Sequence, residues 1–139
     1  RNFMTAYACL RQVSFGLLDM AYYTKKDAFT EDIIPFEKEA WKKAMIFPQL
    51  PDTCMTVQFS HIMAGGYAAG YYSYLWTGVL AVNVADYFAK HGALDPAVGQ
   101  AFRDKVLSRG NTKDQMEMFT DFTGMKQPDA SGLLKARGM

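Results

Sequence analysis

His61, Tyr67, Tyr71 and Tyr74 lie close together in the chain, with Gly65-Gly66 between the histidine and the first tyrosine. Phenol O–H and imidazole N–H groups are the donors that enzymes aim at a developing oxyanion. On a helix, positions 67, 71 and 74 follow the i, i+4, i+7 spacing, which puts three phenols on one narrow stripe. Gly78 continues that stripe and would leave room beside the rings, while Tyr72, Leu75, Trp76, Val79 and Val82 form a broader, core-like face. His61 is expected in the preceding loop, and Gly65 and Gly66 give that loop the freedom to let a peptide backbone come close. An aromatic stripe at helical spacing is ordinarily core, and a lone histidine is ordinarily structural. The coincidence of a histidine, a glycine pair and three aligned phenols is what favours a binding site.

These side chains need helices to hold them. The helix carrying the tyrosines is expected to start after Gly66 and run to about Lys90, with His91-Gly92 ending it. Upstream, the first 23 residues read as a helix. Phe3, Tyr7, Leu10, Leu17 and Ala21 form one stripe there, and Met4, Cys9, Val13, Phe15, Leu18, Met20 and Tyr22 cover much of the rest, with Asn2 the one nearby capping residue. A helix apolar nearly all round belongs inside a larger protein, so this chain is expected to be part of something bigger and to self-associate when alone. Thr30 is the expected cap of a second helix running to about Phe47, with Pro35 near its first turn, before a loop at Pro48–Asp52. Asp95-Pro96 opens a further helix with Phe102, Val106 and Leu107 on its apolar face and Gly110 as its stop. Thr112 is the expected cap of a short helix bearing Met116, Phe119 and Phe122, which Gly124 ends, and Ser131 or Asp129 starts a last one. No segment alternates with a period of two, so the fold class is all-α, in one helical region over 1–139 without an internal boundary.

Composition narrows the partners. With 139 residues, 50% of them apolar, and a formal net charge of +1, nothing calls for nucleic acid or an anionic membrane. The stretch from Thr53 to Ala85 has no Asp, Glu, Lys or Arg, but its tyrosines and glycines suit a buried soluble helix better than a bilayer. Cys9 and Cys54 are far apart and outside any C-x-x-C pattern, as for two reduced thiols in a cytoplasmic protein; a signal peptide upstream would instead make it periplasmic.

The run Phe59-Ser60-His61-Ile62-Met63-Ala64-Gly65-Gly66-Tyr67-Ala68-Ala69-Gly70-Tyr71-Tyr72-Ser73-Tyr74-Leu75-Trp76 closely resembles the thimet oligopeptidase family of zinc metallopeptidases, which includes oligopeptidases and peptidyl-dipeptidases. The likeness extends back through Leu10-Arg11-Gln12 and on through Phe102-Arg103 and Leu107-Ser108-Arg109-Gly110-Asn111. It implies a helical, channel-containing enzyme acting on short unfolded peptides, in which a zinc-bound water attacks the scissile carbonyl and the Glu of an H-E-x-x-H helix serves as base. By the same resemblance, His61 and Tyr74 are the catalytic donors that bind substrate and stabilise the oxyanion. Tyr67 corresponds to the tyrosine of a mobile glycine loop formed with Gly65 and Gly66, and Tyr71 to a further channel tyrosine.

The chain departs from that family in one respect. Its two histidines, His61 and His91, have no partner at i+4, so H-E-x-x-H is absent and no metal ligands are assigned. The expectation is a C-terminal, substrate-binding part of a zinc peptidase, inactive by itself, whose zinc ligands belong to a missing N-terminal portion. The alternative is a metal-free helical module that grips peptides without cutting them.

Overall fold

Every element that the computed structural model describes, over residues 3–139, is helix, turn or loop; the chain is all-α, as its periodicity implies. Two compact units divide it, Arg1–Leu75 and Trp76–Met139.

The first unit opens with α1, Thr5–Tyr23. Asn2, its candidate cap, lies outside the described residues, and Met4 holds the cap position with a left-handed backbone and no capping side-chain bond. The stripe that α1 buries is not the one through Phe3 and Tyr7, whose side chains are exposed. Ser14, Phe15, Leu18 and Asp19 are buried instead, because Phe15 and Leu18 face an aromatic cluster with Trp41, Phe59, Ile62 and Tyr71. Fully burying a side chain such as Leu18 or Phe59 contributes about 1.5–3 kcal/mol, so this cluster dominates the unit.

α2 covers Ile33–Trp41 and passes into a 3-10 turn at Lys42–Ala44. It is shorter than the pattern to Phe47 implies, and Asp32, not Thr30, stands at its cap. Pro35 falls within its first turn, where a missing N–H costs nothing. Glu37, on the inner face, is fully buried. One of its carboxylate oxygens accepts from the Met55 N–H at 2.9 Å and the Gln49 amide at 2.9 Å. The other accepts from the Thr56 N–H at 2.7 Å and the Thr56 hydroxyl at 2.6 Å. This single carboxylate satisfies the backbone of the loop that leads to the 3-10 turn Thr56–Gln58, and the Tyr22 hydroxyl adds a bond to Thr56 Oγ1 at 3.1 Å.

A four-residue helix, α3 (Ser60–Met63), follows, and then α4, Ser73–His91, which begins in the first unit and continues in the second. In the second unit α5 spans Pro96–Lys105, α6 Gln115–Thr123 and α7 Ala130–Ala136. Their caps follow the acidic residues: Asp95 accepts from the Ala97 N–H, Asp114 from Met116 and Glu117, and Asp129 from Ser131. Asp114 displaces Thr112 from the expected role because its carboxylate lies nearest the first turn, whereas the Thr112 hydroxyl donates back to Arg109. α5 ends at Lys105, ahead of Gly110, with a 3-10 turn Leu107–Arg109 between them, and Leu107 is exposed where an apolar face was expected. Gly92 and Gly124 take positive φ at the ends of α4 and α6, as helix-ending glycines do. Phe88, Phe102 and Phe122 meet with ring centroids 5.0–5.5 Å apart at the centre of this unit. Buried Asn83 holds the start of α7, donating to the Asp129 carbonyl and accepting from the Asp129 N–H.

No helix among the described residues is long and apolar enough to cross a membrane. Cys9 and Cys54 are not joined in a disulfide.

Candidate functional site

The uncharged stretch behaves differently from a single helix. His61 sits on α3 and not in a loop, held there by buried Phe59 and Ile62 on either side. The Tyr23 hydroxyl donates to the Ile62 carbonyl and ties α3 to the end of α1. Residues 64–72 then form a chain of turns, so α4 starts at Ser73 and not after Gly66. The path breaks at Ala69, whose left-handed backbone, φ 55°, interrupts the helix between Tyr67 and Tyr71.

Two glycines shape the turn unequally. A Cβ on Gly65 would stand 2.8 Å from the His61 carbonyl oxygen and 3.3 Å from the Ser60 carbonyl oxygen, so only glycine fits without a backbone shift. Gly66 has open space around it. The Gly65 N–H donates to Ser60 at 2.8 Å and the Tyr67 N–H to His61 at 3.2 Å, folding the chain back so that Tyr67 returns toward the histidine.

The turn still brings the four expected side chains together. Tyr67 and Tyr74 stack with centroids 5.2 Å apart, and Tyr71 and Tyr74 approach to 5.0 Å. The His61 ring is 5.7 Å from Tyr67, 5.9 Å from Tyr71 and 6.4 Å from Tyr74. His61, Tyr67 and Tyr74 are exposed, whereas Tyr71 is buried, edge-on to Phe15 and Phe59. Gly78 does not make room beside the rings; it faces Leu133, whose methyl carbons would lie 3.7 and 3.8 Å from an added Cβ. The face expected to be core is only partly so: Val79 is buried, but Trp76 on α4 is exposed, as is Tyr72, which lies ahead of the helix start.

Electrostatics separate the phenols. The hydrogen bond with Tyr67, reinforced by lost solvation and the neighbouring phenols, pushes the Tyr74 hydroxyl up to about 12, so it remains a proton donor. Burial raises Tyr71 as well, opposed by the Arg11 guanidinium and by a hydrogen bond from Gln12. Arg11 itself lies over the Phe15 ring at 4.5 Å. Arg11 and Gln12 thus act on buried Tyr71, while Tyr67, Tyr74 and His61 are exposed.

Sequence reasoning missed the group that fixes the far end of the turn. Asp19 is fully buried, and its two oxygens accept from the Ala69 N–H at 2.8 Å and the Tyr71 N–H at 2.9 Å. A signal was present, since Asp19 is the one acidic residue in the apolar stretch before Asp27. A lone carboxylate on a buried helix face must find donors.

The zinc implied by the resemblance does not fit the residues present. Among the described residues no group of three or more His, Cys, Asp or Glu could hold a metal ion. The buried carboxylates of Asp19 and Glu37 are occupied by backbone and side-chain donors. What the arrangement offers is a rack of imidazole and phenol groups beside an exposed turn, of a kind that can hydrogen-bond a carbonyl oxygen.

The model of peptidase family M3 matches residues 1–139. The chain is 36% identical to oligopeptidase A of Haemophilus influenzae over 140 residues, covering 100% of this chain and 20% of that protein. It is 35% identical to dipeptidyl carboxypeptidase of Escherichia coli over 139 residues, covering 99% of this chain and 20% of that protein. It is 31% identical to a thimet-like oligopeptidase of Dictyostelium discoideum, again over 100% of this chain and 20% of the relative. The chain therefore spans about a fifth of the length of these curated relatives.

Proposed function

This chain belongs to peptidase family M3, and from that premise we propose that it supplies the substrate-binding wall of a peptide-hydrolysing site whose zinc ligands lie outside it. Short unfolded peptides are the substrates, as the names oligopeptidase A and dipeptidyl carboxypeptidase suggest for the relatives. His61, Tyr67 and Tyr74 bind the peptide carbonyl oxygen and strengthen their hydrogen bonds as negative charge builds on it. Gly65 and Gly66 form the turn that meets the substrate backbone, and Tyr71 is the buried support on which the exposed rings rest. On this reading the zinc that activates the water is held outside the chain, which hydrolyses nothing alone. We also propose that exposed apolar residues of α1, such as Tyr7, Met20 and Tyr23, are covered by the remainder of a protein of the relatives' length.

The observation that carries this reading is the stacked, exposed Tyr67–Tyr74 pair with His61 facing it. These rings and the imidazole stand at the surface, where a substrate can reach them, whereas Tyr71 is buried. The test is hydrolysis of a short peptide by the natural full-length protein carrying His61→Ala or Tyr67→Phe. The expected result is a loss of kcat with the fold intact by circular dichroism. Parent-like kinetics in both variants would return these residues to a packing role.

A further inference from the structure

The rack depends on a turn that lacks helical hydrogen bonding, so something else must hold its shape. Ala69 is the weak point: a non-glycine residue at φ 55° is uncommon and tends to relax unless its surroundings fix it. The Ala69 N–H and that of Tyr71 two residues on both turn toward α1, the Tyr71 bond buried and the Ala69 bond partly so. Both end on the same carboxylate, Asp19 of α1, one oxygen to each amide.

We propose that Asp19 is a positioning residue of the peptide site, its buried carboxylate clamping the Ala69 and Tyr71 amides and thereby setting where the Tyr67 and Tyr74 rings stand. The proposal rests on the reading of those tyrosines as substrate donors. The path is short on both sides of the clamp. Next to Ala69, the Gly70 N–H donates to the Tyr67 carbonyl at 2.9 Å, which fixes the residue bearing the first ring. Beyond Tyr71, its carbonyl accepts from the Tyr74 N–H at 3.3 Å, which fixes the second. α1 is the right mount for such a clamp, because Phe15 and Leu18 lock its inner face into the aromatic cluster that also holds Tyr71. Asp19 is four residues after Phe15, so it projects from the same face.

The division of labour follows from chemistry. A carboxylate is an acceptor with two oxygens and no donor of its own, so it matches two converging N–H groups without leaving a proton unpaired. Asparagine has nearly the same shape but presents an amide NH₂ to one of them. The fixed point at Ala69 and Tyr71 closes one end of the exposed segment Ala64–Ala68, whose other end is tied to α3 by the Tyr67 N–H bond to the His61 carbonyl.

The experiment combines amide hydrogen exchange with kinetics on the natural full-length protein. In the parent, the Ala69 and Tyr71 amides are expected to exchange much more slowly than those of Gly66 and Ala68, with or without a non-hydrolysable short peptide bound. Equal exchange at all four would overturn the clamp without any variant having to fold. In Asp19→Asn, protection at 69 and 71 is expected to fall and kcat to drop about 10²-fold, as for a misplaced catalytic group, while KM changes much less. A loss confined to stability, with parent kcat in the folded fraction, would overturn the positioning role. Tyr74→Phe measured alongside separates the two ideas. An impaired Asp19→Asn beside a parent-like Tyr74→Phe removes Tyr74 from the mechanism and leaves Asp19 acting through Tyr67. A parent-like Asp19→Asn beside an impaired Tyr74→Phe overturns the Asp19 proposal alone.

Discussion

Tyr67 and Tyr74 stack with their ring planes 25° apart and their centroids separated by 5.2 Å, although no continuous helix connects them. A straight helix would also have put these residues on one side. The turn does something more: it leaves the outer two phenols exposed while the middle one, Tyr71, is driven into the core. The two exposed phenols are thereby separated from the buried ring between them.

The loop behind the site should fail first when Glu37 is changed. Glu37→Gln keeps the volume but sets an NH₂ against donors that now find one carboxylate, including the Met55 and Thr56 amides. Hydrogen bonds to a buried charge are the strong ones, so a loss on the order of 3 kcal/mol is expected. Urea unfolding measures it, and a variant within about 0.5 kcal/mol of the parent would contradict the assignment, since that is the range of neutral surface changes.

Gly65 and Gly66 should respond oppositely to alanine. Gly65→Ala drives a Cβ to 2.8 Å from the His61 carbonyl oxygen and must displace the segment bearing the histidine. Overpacking of this kind costs about 1–3 kcal/mol. Gly66→Ala meets nothing within 4 Å and should be neutral or stabilising by about 0.4–1 kcal/mol through the unfolded chain. Thermal unfolding of the two single variants checks the contrast; equal effects would show that the backbone there is not as described.

The alkaline behaviour of the site follows from Tyr74. Its hydroxyl is raised from 10.0 to about 12 in the folded protein. Between those values the unfolded chain gives up the proton and the folded one keeps it. The stabilising contribution is therefore complete below pH 10 and lost as pH rises toward about 12. Tyr74→Phe should flatten this part of the stability–pH curve, as read from unfolding midpoints. An unchanged slope would contradict the Tyr67–Tyr74 pairing.

Much of this was legible in the sequence. The helical class, the Asp95-Pro96 start and the Gly92 and Gly124 stops follow from local spacing and capping chemistry, whereas His61 and the three tyrosines meet through a turn and not along the helix stripe that their spacing implies. The missed features share a cause, which is that distant groups decide them. Nothing local tells Ala69 to leave the helix; Asp19, fifty residues earlier, captures its amide. Nothing in the apolar pattern of α1 marks Ser14 and Asp19 as buried or Phe3 and Tyr7 as exposed, because apolar residues lie on every side. Thr112 lost its expected role to Asp114 because two capping residue types stand within two positions, and a carboxylate is the stronger acceptor for a helix start.

In the proposed function the Tyr74 hydroxyl acts on charge that exists only in the transition state. Steady-state hydrolysis of a short peptide by the natural full-length protein and its Tyr74→Phe variant measures this directly. Losing one oxyanion donor lowers kcat by about 10²–10³. Because the ground-state carbonyl asks little of that donor, KM should move only a fewfold. A Tyr74→Phe enzyme with near-parent kcat would contradict the account and leave Tyr74 a packing residue.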